Sequence, residues 1–198
     1  MARVRAYVGL GANVGDAGAT LAAAVRALAA LPDTALVGVS RLYATEPVGV
    51  VDQPVFRNAV AALDVPGGSD PATGASALLV ALKDIERAFG RQPRERWGPR
   101  EVDLDLLLFG DARISVERPE AGRSDDPAKA ALPLVVPHAE ARNRLFVLAP
   151  LSDVAPDLVP PGWDESVVEA ARRRLTDEGP DAVRAVADWD GQDWRPTG

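Results

Sequence analysis

The 198-residue chain predicts an α+β fold built on a mainly antiparallel sheet, and three observations carry that expectation. Short apolar runs, most with residues alternating between two faces, recur at Arg3 to Leu10, Leu36 to Tyr43, Phe56 to Val65 and Val102 to Phe109, as strands do. Two stretches with apolar residues at helical spacing, Ala17 to Leu31 and Ala75 to Phe89, lie between them. Their order is strand, helix, strand, strand, helix, strand, the split βαββαβ arrangement of ferredoxin-like folds. Two helices then cover one face of the sheet, and the other face is left for substrates or later elements. The length suits one core, expected as residues 1–160 with a C-terminal appendage, 161–198, packed on it.

Each element has its local reason. Gly9 to Asp16 reads as the turn out of the first strand. It is not a dinucleotide fingerprint, because G-x-G-x-x-G would need glycine where Val14 stands. Asp16 suits an N-cap, Leu21, Val25, Leu28 and Leu31 form one stripe, and Pro32 stops the helix. The connection from Ala44 to Val55 is long for a compact hairpin, which points to function. Beyond it Phe56, Asn58, Val60 and Ala62 share a face; by spacing alone Phe56 can equally be core and Asn58 a turn closure. Pro66 to Pro71 reads as a linker. In the following helix Leu78, Leu82, Ile85 and Phe89 point inward, Gly90 suits the C-cap, and Lys83 with Glu86 is expected as a surface ion pair worth under ~1 kcal/mol. Further along, a strand is expected near Arg113 to Val116, a mobile polar insertion over Glu117 to Ala131, and a helix from Glu165 to Leu175. The chain ends with Trp189 and Trp194.

Chemistry concentrates between Arg91 and Phe109. On the fourth strand Val102, Leu104, Leu106 and Leu108 are expected on one face, and Asp103, Asp105, Leu107 and Phe109 on the other. Aspartate is disfavoured in strands, and two like charges side by side cost free energy unless a cation lies between them. Mg²⁺ fits, since it is usually held by one or two carboxylates plus substrate phosphates. Arg91, Arg94, Arg96 and Arg100 come just before, in a loop carrying Trp97 and stiffened by Pro93 and Pro99. Guanidinium groups grip phosphate oxygens, so the pattern points to a polyphosphate substrate. A charged, exposed loop capping a strand is the plainer alternative. His138, the single histidine, lies close in sequence to Arg142 and Arg144 and makes a second cationic group.

Composition excludes other classes. A net charge of -7 argues against a nucleic-acid partner. The lack of cysteine removes disulfides, thiolate nucleophiles and cysteine-ligated zinc. No segment reads as a signal peptide or a membrane span, so a cytoplasmic protein is expected, without membrane partner and as a monomer.

Arg96-Trp97-Gly98-Pro99-Arg100 followed by Asp103-Leu104-Asp105 resembles the signature of the 6-hydroxymethyl-7,8-dihydropterin pyrophosphokinase family. Thr45-x-Pro47-x-Gly49, Asp52-Gln53-Pro54-x-Phe56-x-Asn58, Pro137-His138 and Asn143-Arg144-x-Phe146 resemble its other segments, and the likeness spans about Val4 to Asp157. The resemblance implies diphosphate transfer from ATP to the pterin hydroxymethyl group, releasing AMP, as a step of folate biosynthesis. It implies two Mg²⁺ ions on Asp103 and Asp105, with Arg91 and Arg100 neutralising the transferred group. It assigns ATP contacts to Glu86, Arg94, Trp97, Leu106, His138 and Arg144, and pterin contacts to Thr45, Pro47, Val48, Gly49, Phe56, Asn58, Trp97 and Phe146. Departures are Ala12 for a serine, Phe56 for a tyrosine, and Ala139 after the histidine, which cannot stack. From the residues alone, another Mg²⁺ enzyme acting on a phosphorylated small molecule, or a non-catalytic pterin or nucleotide-binding module, remains open.

Overall fold

The computed structural model describes residues 2–46, 53–90, 100–123 and 131–197. Its centre is a seven-stranded sheet made from β1 (Arg3–Ala12), β2 (Ala35–Val39), β3 (Leu42–Thr45), β4 (Phe56–Pro66), β5 (Asp103–Phe109), β8 (Val183–Trp189) and β9 (Trp194–Pro196). The order is β5-β1-β4-β3-β8-β9, with β2 also on β4, and every pairing is antiparallel. Helices α1 (Ala17–Ala29) and α2 (Pro71–Ala88) complete the ferredoxin-like βαββαβ core.

Several elements depart from the sequence expectation for identifiable reasons. The stretch expected as one strand from Leu36 to Tyr43 is split into β2 and β3, both lying along β4. At the break Ser40 donates its N–H to the Val60 carbonyl at 2.9 Å, and its hydroxyl accepts from the Val60 N–H at 2.9 Å, so the ladder is bridged by a side chain. Helix α2 starts at Pro71, not Ala75. Asp70 caps it by accepting from the Thr73 N–H at 2.9 Å, and proline is well suited to the first helical position. Gly74 is needed there, because a Cβ would come within 2.4 Å of the Gly67 carbonyl oxygen. The polar insertion is partly docked: a 3₁₀ turn at Glu120–Gly122 sits against α2, where Arg87 donates to the Ala121 carbonyl at 2.6 Å. A small ladder joins β6 (Ile114–Val116) to β7 (Leu134–Val136).

The two faces of the sheet have different fates. Ala6, Val8, Leu10 and Ala12 of β1 point into the main core against α1 and α2, whose apolar stripes supply Leu21, Val25, Leu28, Leu78 and Leu82. On the opposite face Tyr7, Val60 and Ala62 pack under α3 (Leu145–Val154) and α4 (Val167–Glu178) through Leu151, Ala155 and Val167. These helices cover only part of that face.

The alternation in β5 is broken. Leu104, Leu106 and Phe109 lie in the main core, whereas Leu107 and Leu108 both lie in the second cluster. The register against β1 slips between Tyr7 and Val8, whose partners are Leu108 and Leu106, so Leu107 is the extra residue of a bulge. Leu108 and Phe109 have therefore exchanged the faces expected of them.

The C-terminal segment is part of the sheet. Ser166 and Glu169 form a capping box at the start of α4, then β8 pairs with β3 and β9 with β8. Trp194 is 7% exposed in the main core, packs edge-on against Trp189 at 4.8 Å, and donates its indole N–H to the Ser40 carbonyl at 2.9 Å. A Trp194→Ala variant is accordingly expected to lose about 3 kcal/mol of stability, read as a lower midpoint in urea denaturation with an unchanged slope.

Candidate active site

The uncovered part of the second face holds an open cleft lined by both apolar and polar side chains, the kind of concavity that small-molecule sites use. Its floor follows from register. Asp103 of β5 lies opposite Gly11 of β1, and Gly11 opposite Asn58 of β4; one step along, Asp105 faces Gly9, and Gly9 faces Val60. Gly9 and Gly11 were expected in a turn, yet they sit inside β1 and both line the cleft. A Cβ on Gly11 would stand 3.3 Å from Asn58 Oδ1, so the bare backbone keeps space open between the carboxylates and the carboxamide. The signal was present as a Gly-x-Gly of period two, the spacing that puts both residues on one face of a strand.

On the β5 side the half-buried Asp103 and Asp105 face the cleft with Leu107. The Arg100 guanidinium donates to Asp103 in a short contact, a protein cation already resting on the carboxylate. Among the described residues no three acidic, histidine or cysteine side chains gather as a metal cage. Two carboxylates side by side fit a magnesium ion that takes other oxygens from water and phosphate.

On the opposite wall Thr45, Phe56 and Asn58 come together. Asn58 is 8% exposed and donates to the Thr45 hydroxyl at 2.8 Å, which fixes the orientation of the amide. Phe146 and Val147, from the first turn of α3, close the side, and Arg144 lies 5.8 Å from the Phe146 ring centre. The cleft thus combines a carboxylate pair, two arginines and two phenylalanines.

Several expected residues lie elsewhere. Leu106 is buried in the main core beneath α2, on the face opposite Asp103 and Asp105, and Leu107, which shares their face, lines the cleft. Glu86 is 1% exposed; its carboxylate accepts from Lys83 at 2.7 Å and from the Leu104 N–H at 2.7 Å. That pair is buried, not on the surface as expected, because both residues face the sheet. His138 is half-exposed beside the strand edge, donating its backbone N–H to the Leu107 carbonyl at 2.9 Å, and does not line the cleft. Arg142 is turned away to Asp164 and to Glu165 at 2.8 Å, and lies 5.8 Å from the Trp163 ring centre. Arg91, Arg94, Trp97, Pro47, Val48 and Gly49 lie outside the described residues.

One residue that the motif arithmetic overlooked ties the site together. Asn13, 2% exposed, accepts from the Arg100 N–H at 2.7 Å and returns its own N–H to the Arg100 carbonyl at 3.0 Å. Its amide also donates to Gln53 Oε1 and to the Pro54 carbonyl, each at 3.1 Å. It therefore pins the approach to β4 and the approach to β5 to the end of β1.

Residues 7–156 match the family model described as 7,8-dihydro-6-hydroxymethylpterin-pyrophosphokinase (HPPK). The chain belongs to the HPPK family. A 2-amino-4-hydroxy-6-hydroxymethyldihydropteridine pyrophosphokinase of Methylorubrum extorquens is 40% identical over 185 residues, covering 92% of this chain and 98% of the relative. The protein of the same name from Pseudomonas aeruginosa is 44% identical over 154 residues, 78% of this chain and 82% of the relative. Among solved structures, an HPPK-DHPS protein in complex with substrates superposes with a TM-score of 0.72 over 99% of this chain at 13% identity, a likeness of fold. The chain spans about half of that protein, 48%. HPPK enzymes transfer pyrophosphate to hydroxymethyldihydropterin in folate biosynthesis.

Replacing Asn13 with alanine would leave the half-buried N–H of Arg100 without its acceptor, at about 1 kcal/mol or more. Thermal unfolding should show that loss for Asn13→Ala, and one at least as large for Asn13→Asp, which keeps the acceptor but sets a buried carboxylate against Gln53 Oε1 and the Pro54 carbonyl.

Proposed function

We propose that this chain transfers diphosphate from ATP to the hydroxymethyl oxygen of 6-hydroxymethyl-7,8-dihydropterin, releasing AMP, with the cleft as its site. The observation that carries this reading is the row Asp103, Gly11, Asn58 across three strands, with the aromatic wall of Phe56 and Phe146 beside it. One end suits a metal-bound phosphate chain and the other a flat, polar-edged ring.

The pterin ring stacks between Phe56 and Phe146, and Asn58 reads its polar edge with Thr45 holding the amide in place. Pro47, Val48 and Gly49 add backbone contacts. Asp103 and Asp105 hold two Mg²⁺ ions. When bound, these ions supply charge neutralisation across the phosphates and align attacking and leaving oxygens. Arg100, released from Asp103, and Arg91 take up the negative charge of the transferred group. Arg144, with Arg94 and Trp97, contacts ATP, and His138, beside the β5 edge, meets it beyond the cleft wall. Positioning and electrostatics dominate in phosphoryl-type transfer, so the hydroxymethyl oxygen attacks the β-phosphorus directly as the bond to the AMP oxygen breaks, and the hydroxyl proton is released to solvent.

Residues 1–160 form the catalytic domain in this reading, and residues 161–198 extend its sheet. The enzyme is read as monomeric and cytoplasmic, and the net charge of -7 argues against a nucleic-acid partner. Among the described residues no helix is long and apolar enough to cross a membrane.

Incubated with ATP, Mg²⁺ and the pterin alcohol, the purified chain should form AMP and no ADP, in a pterin-dependent manner; ADP or inorganic phosphate as product would overturn the reading. Asp103→Ala and Asp105→Ala should each lower kcat by on the order of a thousandfold, as loss of a charge-stabilising group in an active site does. Phe146→Ala should raise the pterin KM about tenfold, in line with ~1.4 kcal/mol of stacking, and leave the ATP KM unchanged in the same steady-state assay.

A further inference from the structure

Among the described residues β5 is the terminal strand of the sheet, paired on one side only, with β1. The outward polar groups of a terminal strand need partners, and at Leu104 they find an unusual pair. Lys83 and Glu86, 6% and 1% exposed, are joined at 2.7 Å on the sheet-facing side of α2. Glu86 Oε1 accepts from the Leu104 N–H at 2.7 Å, and Lys83 Nζ donates to the Leu104 carbonyl at 3.2 Å. Both backbone groups of one residue are thus gripped by one ion pair, and that residue lies between Asp103 and Asp105.

Burying an ion pair is a poor way to attach a helix to a sheet. Desolvation costs several kcal/mol per ion, and hydrocarbon side chains of similar volume often hold such a contact as well or better. What hydrocarbon lacks is a donor and an acceptor for a strand edge. The carboxylates also need such a hold, since a load on either one is borne by the backbone between them.

Resting on the metal reading of Asp103 and Asp105, we infer that Lys83 and Glu86 are positioning residues for that carboxylate pair. They fix the Leu104 peptide groups, and so hold the spacing and tilt of both carboxylates when a divalent cation and phosphates pull on them. Supporting partners of metal ligands commonly carry a 10–100-fold effect on metal affinity.

The test pairs Lys83→Met/Glu86→Leu, which removes both charges and keeps the volume, with wild type and Asp103→Asn. Mn²⁺ binding is titrated by electron paramagnetic resonance in the presence of α,β-methylene-ATP. The expected result is a double variant that is folded by circular dichroism, binds Mn²⁺ about tenfold more weakly, and keeps its pterin KM while kcat falls. A folded double variant with Mn²⁺ affinity within twofold of wild type would overturn the inference while leaving the metal reading intact. Equal Mn²⁺ binding by wild type and Asp103→Asn would overturn the metal reading itself, and the inference with it. A second measurement is independent of whether the variant folds. In the wild type without ligands, the Leu104 amide should exchange its hydrogen as slowly as the amides bonded between β1 and β5. Fast exchange there, as for a solvent-facing edge, would equally overturn the inference.

Discussion

Two carboxylates on one face of a terminal strand must be held side by side against their own repulsion. Side chains two residues apart on a strand are separated by roughly 6.7 Å, and at an effective dielectric of about 20 their repulsion is roughly 2.5 kcal/mol. Much of the surrounding architecture answers that constraint. β1 supports the strand from one side, and the backbone N–H of His138 takes the Leu107 carbonyl on the other. Arg100 lies on Asp103, and Asn13 holds the Arg100 backbone at both its N–H and its carbonyl. The same closeness that costs stability in the free protein is what a bridging cation would use.

The cleft exists because one sheet face is only partly covered. α3 and α4 bury Tyr7, Val60, Ala62 and Leu108, and the uncovered remainder has glycine at the two β1 positions between the carboxylates and Asn58. A side chain at either place would fill the space between the two halves of the site. The β5 bulge serves this division too, by turning Leu107 and Leu108 together toward the α3 side while Phe109 returns to the main core. The C-terminal strands support the arrangement from the far edge, where Trp194 bonds to Ser40 at the break between β2 and β3.

The residue sequence by itself determined a good deal. Alternating apolar residues and two amphipathic stripes identified the βαββαβ order, because hydrophobic periodicity is a local property. Asp103 and Asp105 stood out for the same local reason, as charges at strand spacing in an otherwise apolar run. Phe56 and Asn58 were legible as face-sharing residues, and short motifs matched the family that the comparisons support. Tertiary structure decided what depends on partners distant in sequence. It made Lys83 and Glu86 a buried clamp instead of a surface pair, since burial is set by the β5 edge that lies against α2. It exchanged the faces of Leu108 and Phe109 through a bulge fixed by registry with β1. It also placed Gly9 and Gly11 in the sheet as a floor, because a strand ends where its neighbours stop pairing, and β4 and β5 continue past the point where the glycines suggest a turn.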